Sequence, residues 1–230
     1  MSRKFTLSVL AAGLLAATSA QAYQAGDIII RAGAVAVDPQ ESSGSVLADG
    51  ADLGGWEVGL DSNRQLGLAG TYMVTSHIGV GLLAATPFKH NISAAGAIAG
   101  AGKLGETKHL PPTLTLQYYP MGSASRFQPY AGLGVNYTIF FEEATTDTLN
   151  GALGVDSTTL DLDDSVGIAA EFGFDYALSE EFGFNAAIWW ADIDTEGTIR
   201  TQASGAPGPV GTVDVEIDPL VYMVGFTYRF

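Results

Sequence analysis

Six residues carry the most demanding chemistry in this chain: Arg31, Gln117, Glu171, Asp175, Asn185 and Arg229. Each falls in a stretch that is otherwise apolar or small. A charge or amide in such a setting needs a partner, because burying it alone is costly. Two cations, two carboxylates and two amides can satisfy one another, so the chemistry expected of them is pairing and closure of a passage. Catalysis is not expected. No Gly-x-Ser-x-Gly is present, and no histidine lies near a plausible serine and aspartate set. His77, His90 and His109 have no metal-ligand spacing. Acidic groups recur at Asp161, Asp163 and Asp164, at Asp192, Asp194 and Glu196, and at Asp214, Glu216 and Asp218. Carboxylates of this kind can hold Ca²⁺ or Mg²⁺, but a solvated acidic rim is the expectation. No metal, cofactor or catalytic residue is expected.

The elements that position the six polar groups have a period of two. Eight such segments are legible, near 27–37, 64–75, 77–87, 109–121, 127–141, 164–178, 181–195 and 217–230. In the sixth, Val166, Ile168, Ala170, Phe172, Phe174 and Tyr176 share one face, while Glu171 and Asp175 share the other with glycine and alanine. The last segment shows the same split. Leu220, Tyr222, Val224, Phe226, Tyr228 and Phe230 make one wholly apolar face that ends on an aromatic residue. Such strands suit a closed barrel whose outer face dissolves in lipid. Tyr222, Val224, Phe226, Tyr228 and Phe230 are expected to serve as the signal read by the barrel-assembly machinery. A soluble eight-stranded barrel of lipocalin type would instead scatter charge over its outer surface.

The amino-terminal stretch agrees with export. Arg3 and Lys4 precede an apolar run from Phe5 to Ala17, and Ala20-Gln21-Ala22 supplies small residues for cleavage. Residues 1–22 are read as a secretory signal peptide and 23–230 as one barrel domain. The run is too short for a spanning helix. The formal net charge is −15, or −17 once Arg3 and Lys4 are set aside. That balance excludes a nucleic-acid partner, since phosphate contacts need Lys and Arg. The absence of cysteine excludes a disulfide framework. Long connections at 38–63, 88–108, 142–163 and 196–216 alternate with short ones and are rich in Gly, Ser, Asp and Pro, so they are read as loops. The pattern places the short turns in the periplasm and the long connections outside a Gram-negative cell, with the protein a multi-pass and monomeric barrel of the outer membrane in contact with lipid and lipopolysaccharide.

Strand direction then assigns height inside the barrel. Arg31, Gln117, Glu171, Asp175, Asn185 and Arg229 fall in the periplasmic half, where they are expected to close the lumen. Val35, Val37, Leu83, Ala85, Ala187, Trp189, Val221 and Met223 fall in the outer half and are expected to line an apolar lumen. A lumen filled by side chains is the competing expectation for so narrow a barrel. Pro87, Pro111 and Pro112 flank the tops of the third and fourth strands. Proline donates no ladder hydrogen bond, so a lateral opening is expected there.

Several stretches carry a resemblance: Ala25–Gly33, Ala85–Phe88, Lys108–Pro120, Phe127–Tyr137 and Asp218–Phe230. Together they are similar to the outer-membrane protein W (OmpW) family, and to its OprG-like members most, over nearly the whole chain after residue 22. The resemblance implies an eight-stranded barrel with an apolar channel. It implies passive uptake of small hydrophobic molecules with sideways release into the membrane. For OprG-like members it also implies small amino acids as permeants. A barrel that presents its loops as a receptor or adhesin, without transport, is the alternative.

Overall fold

The computed structural model describes residues 23–121 and 125–230, so the segment read as a signal peptide lies outside the described residues. Eight long strands form one closed antiparallel barrel: Ile28–Asp38, Asn63–Met73, Ile78–Ala85, Thr113–Tyr118, Phe127–Thr145, Ser165–Ala177, Phe182–Ala191 and Leu220–Arg229. Each pairs with its neighbour in sequence, and the first pairs with the last to close the ring. Closure leaves no free edge strand, as lipid demands.

Alternation sorts the side chains between the two surfaces. Ile29, Arg31, Val35, Asn185 and Met223 point inward at 0–1% exposure, whereas Leu66, Leu133 and Val166 point outward at 73–74%. An apolar outer belt with polar groups inside inverts the soluble pattern. Among the described residues no helix is long and apolar enough to cross a membrane.

Glycine sets the closing seam of the barrel. Gly33 and Gly225 face each other across the first and last strands. A Cβ on Gly33 would stand 2.2 Å from the Val224 carbonyl oxygen, and one on Gly225 2.2 Å from that of Ala32. Both obstacles are backbone, so neither strand accepts a side chain there.

The long connections depart from the expectation of loops. Phe88–Gly96 and Lys103–Leu110 form a hairpin that continues the barrel wall upward, with Trp56–Leu60 on one side and the upper part of the fifth strand on the other. A second sheet pairs Ser157–Leu162, Asp194–Ala203 and Ala206–Glu216 with short strands of the first connection. A helix, Asp147–Leu153, buries Leu149 and ends at Gly154 in the left-handed region. Glycine, serine, aspartate and proline recur across these connections and suggest loops. The partners that make them strands lie far away in sequence: Val215 pairs with Ser43, and His109 with Phe140.

Candidate functional site: an apolar vestibule above a polar layer

The lower lumen holds a polar network centred on Arg31 of the first strand. Its Nε donates to Asp175 Oδ1 at 3.0 Å and its Nη2 to Asp175 Oδ2 at 2.6 Å. Nη1 donates to Thr71 Oγ1 at 2.6 Å, and Nη2 also to the Tyr119 hydroxyl at 3.0 Å. The guanidinium lies 4.8 Å from the centre of the Tyr130 ring. Asp175 accepts further bonds from Tyr23 OH at 2.7 Å and Asn185 Nδ2 at 2.9 Å. Glu171 has neutral donors: Gln117 Nε2 at 2.8 Å and Thr115 Oγ1 at 2.7 Å. Thr71 and Tyr119 both donate to Gln117 Oε1 and join the two halves. Hydrogen-bonded networks of buried charges are rigid.

Five of the six polar residues thus meet in one layer. Arg229 lies lower, at the rim, its guanidinium 3.7 Å from Asp27. Tyr23, Thr71, Thr115, Tyr119 and Tyr130 complete the network and escaped sequence reasoning. Tyr119 shares the inward face of Thr115 and Gln117, which was the available signal. Tyr23 precedes the first strand and left no signal at all.

Val35, Val37, Leu83, Ala187, Trp189, Val221 and Met223 all point inward above this layer and pack in one cluster with Phe88, Tyr119 and Tyr130. Ala85 packs against them. The space left between them is about 20 Å³, enough for water but not for an organic molecule. Most of the cavity lies higher. A vestibule of about 260 Å³ opens between the two sheets of the upper connections. Val58, Ile92 and Leu104 face it from one wall, and Ile199, Val213 and Val215 from the other. It exceeds the dry apolar cavities of about 150 Å³ that take up benzene. These lining residues belong to stretches read as loops, so periodicity of the barrel strands could not find them.

A ring cluster separates vestibule from lumen. His90 and His109 stack at 4.9 Å, and His109 also touches Phe88 and Phe140. His90 Nδ1 lies 2.5 Å from the Asp61 carbonyl oxygen, while its Nε2 is buried with no hydrogen-bond partner among the described residues. Burial and the neighbouring His90 push the His109 imidazole down to about 3. Burial likewise lowers His90, against the opposing effect of Asp61. The pair is neutral near pH 7, which suits an apolar wall.

The ladder between the third and fourth strands ends at Leu83 opposite Thr113 and resumes at Phe88 opposite His109. Pro87, Pro111 and Pro112 occupy the interruption. Ala85, Phe88 and Pro111 line the small chamber just inside it. Of the acidic groups, the carboxylates of Asp192, Asp194 and Asp218 come within 4.8 Å of one another. Burial and the two neighbouring carboxylates raise that of Asp194.

Comparison with known proteins places these features in context. The OmpW family signature matches residues 24–230. Outer membrane protein W of Vibrio cholerae is 44% identical over 225 residues, which cover 97% of each chain. Outer membrane protein W of Escherichia coli is 40% identical over 228 residues, covering 99% of this chain and 100% of that one. The crystal structure of the outer membrane protein OprG from Pseudomonas aeruginosa is 49% identical and aligns with a TM-score of 0.83, covering 91% of this chain and 98% of that one.

Proposed function

From the membership of this chain in the OmpW family, a family of outer-membrane barrels, we propose that it is a passive route for small apolar molecules across the outer leaflet. The observation that carries the reading is the vestibule: about 260 Å³ of space walled almost wholly by apolar side chains. Apolar solutes partition into such a space because it removes their surface from water. The straight path onward is obstructed twice, by the packed cluster around Trp189 and by the Arg31–Asp175 layer. An apolar solute also gains nothing by entering periplasmic water. The interrupted ladder at Pro87, Pro111 and Pro112 supplies the remaining exit, sideways into lipid.

Crosslinking tests this route. The chain has no cysteine, so Ala85→Cys and Pro111→Cys introduce a unique pair beside the small chamber. With the pair joined by a short thiol-reactive linker cleavable by reductant, uptake of an apolar fluorescent probe into vesicles should be lost, and it should return on reduction. Undiminished uptake with the crosslink verified by mass spectrometry would mean that the solute leaves by another path.

A further inference from the structure

The chain is strongly acidic, yet its few cations are unevenly placed. Of the eight Lys and Arg after residue 22, Arg31 is in the lumen, while Arg126 and Arg229 lie at the periplasmic end. Four of the remaining five gather on neighbouring strands at one side of the upper barrel: Arg64, Lys89, Lys103 and Lys108. Lys89 and Lys108 are direct cross-strand partners on the hairpin. Both point outward, since Phe88, His90, Thr107 and His109 between them point in and are buried. The second strand meets the hairpin here, with Asn63 Nδ2 donating to the Lys89 carbonyl at 2.5 Å, so Arg64 borders the same patch.

Like charges directly opposite each other in a sheet are destabilising. Two carboxylates offset part of this. Glu106 bridges Lys89 at 2.8 Å and Lys103 at 2.5 Å, and Glu142 holds Lys108 at 2.5 Å. Arg64 makes no hydrogen bond or ion pair among the described residues and is exposed. Asp61, bonded to Asn91 beside Lys89, is a third carboxylate at the edge of the patch, so four cations against three carboxylates leave it with one net positive charge. Its ion pairs are partly exposed, and such pairs are weak, so the lysines can exchange a carboxylate for a stronger anionic acceptor. The position specifies which anion. Immediately below Arg64 on the same outward face come Leu66 and Leu68, at 74% and 51% exposure. Below Lys108, past the prolines, come Leu114 and Leu116, at 48% and 59%. A ligand that spans both surfaces joins a phosphate to acyl chains.

We propose that Arg64, Lys89, Lys103 and Lys108 form a binding site for the phosphate headgroup of an outer-leaflet glycolipid, whose acyl chains lie along Leu66, Leu68, Leu114 and Leu116. Charge-assisted hydrogen bonds from Lys and Arg to phosphate supply the specificity. The apolar column supplies the preference for a lipid over a free anion. The site stands on the outer surface and does not depend on transport through the vestibule.

The test uses the folded protein in zwitterionic micelles with a chelator present, which silences binding bridged by divalent cations. Bisphosphorylated lipid A, fully dephosphorylated lipid A and inorganic phosphate are compared as ligands, with occupancy read by native mass spectrometry. Saturable binding of the bisphosphorylated lipid is expected. Dephosphorylation should weaken it roughly tenfold or more, and so should the combined variant Arg64→Gln, Lys89→Gln and Lys108→Gln. Arg200→Gln, on the acidic far side, should leave it unchanged. If the combined variant does not fold, Lys89→Gln against Lys89→Arg replaces it, with loss expected only in the glutamine form. Equal binding of dephosphorylated lipid, or full binding by the glutamine variants, overturns the site. Displacement of the lipid by millimolar inorganic phosphate overturns the assignment to a lipid and leaves a free-anion site.

Discussion

Arg31 on the first strand and Asp175 on the sixth meet across the lumen through two hydrogen bonds, of 3.0 and 2.6 Å, with both side chains at most 3% exposed. Tyr23, Thr71, Tyr119 and Asn185 bond to this pair directly, and Gln117 links Glu171 to it through Thr71 and Tyr119. Asp175→Asn should therefore lower stability by about 3–5 kcal/mol, because it leaves a buried guanidinium uncompensated. Arg31→Met with Asp175→Leu should recover most of that loss, since it removes both charges together. Urea midpoints of the barrel, followed by the gel shift between folded and heated forms, measure both effects.

Gly225→Val should prevent closure of the barrel. Its Cβ would stand 2.2 Å from a backbone oxygen that cannot yield. Gly70→Ala provides the control, since its Cβ would meet only the end of Ile30 at 3.5 Å. Refolding yield should collapse for the first and stay near that of the parent for the second.

Acid should loosen the upper hairpin. Folding holds the His109 imidazole at about 3, against an ordinary value of 6.5. The unfolded hairpin therefore binds a proton that the folded one refuses. Stability is full above pH 6.5 and declines as pH falls from there toward about 3. His90 shifts in the same direction and adds to the slope. Hydrogen-exchange protection over residues 88–110, taken relative to the intrinsic rate at each pH, should fall between about pH 7 and pH 4. His109→Phe should flatten that dependence while keeping the ring contacts with Phe88 and Phe140.

Charge in the vestibule should impede an apolar permeant without disturbing the barrel. Val58→Asp and Val213→Asp face each other's walls of the cavity, well above the packed cluster. The double variant should keep its folded gel mobility and lose most uptake of an apolar probe, because an ionised wall disfavours the solute's path. The same substitutions at Leu83 and Val221 should instead unfold the protein, since both are buried in the packed cluster.

The terminal aromatic column bears on assembly. Phe230 is 71% exposed, its ring stacks edge-on against Tyr228 at 4.6 Å, and its backbone N–H donates to the Ile28 carbonyl at 2.9 Å. Phe230→Asp should reduce folded protein in the outer membrane while leaving refolding in detergent comparatively intact. Comparable losses in both settings would indicate a purely structural role.

What the sequence determined by itself was everything that depends on a period of two. The eight strands, the apolar outer belt, and the inward direction of Arg31, Glu171, Asp175, Val35 and Trp189 all follow from alternation, because a strand leaves a residue only two faces to choose from. What the tertiary structure decided was contact between distant segments. Tyr23 meets Asp175 across 152 residues, and nothing local in either marks the other. The stacking of His90 on His109 depends on a hairpin register, and that of the vestibule walls on pairing between separate connections that carry many glycines. In such segments local propensity favours loops, and the strands exist because their partners arrive from elsewhere in the chain. The cavity is a property of that arrival, so it could be located only once the walls stood together.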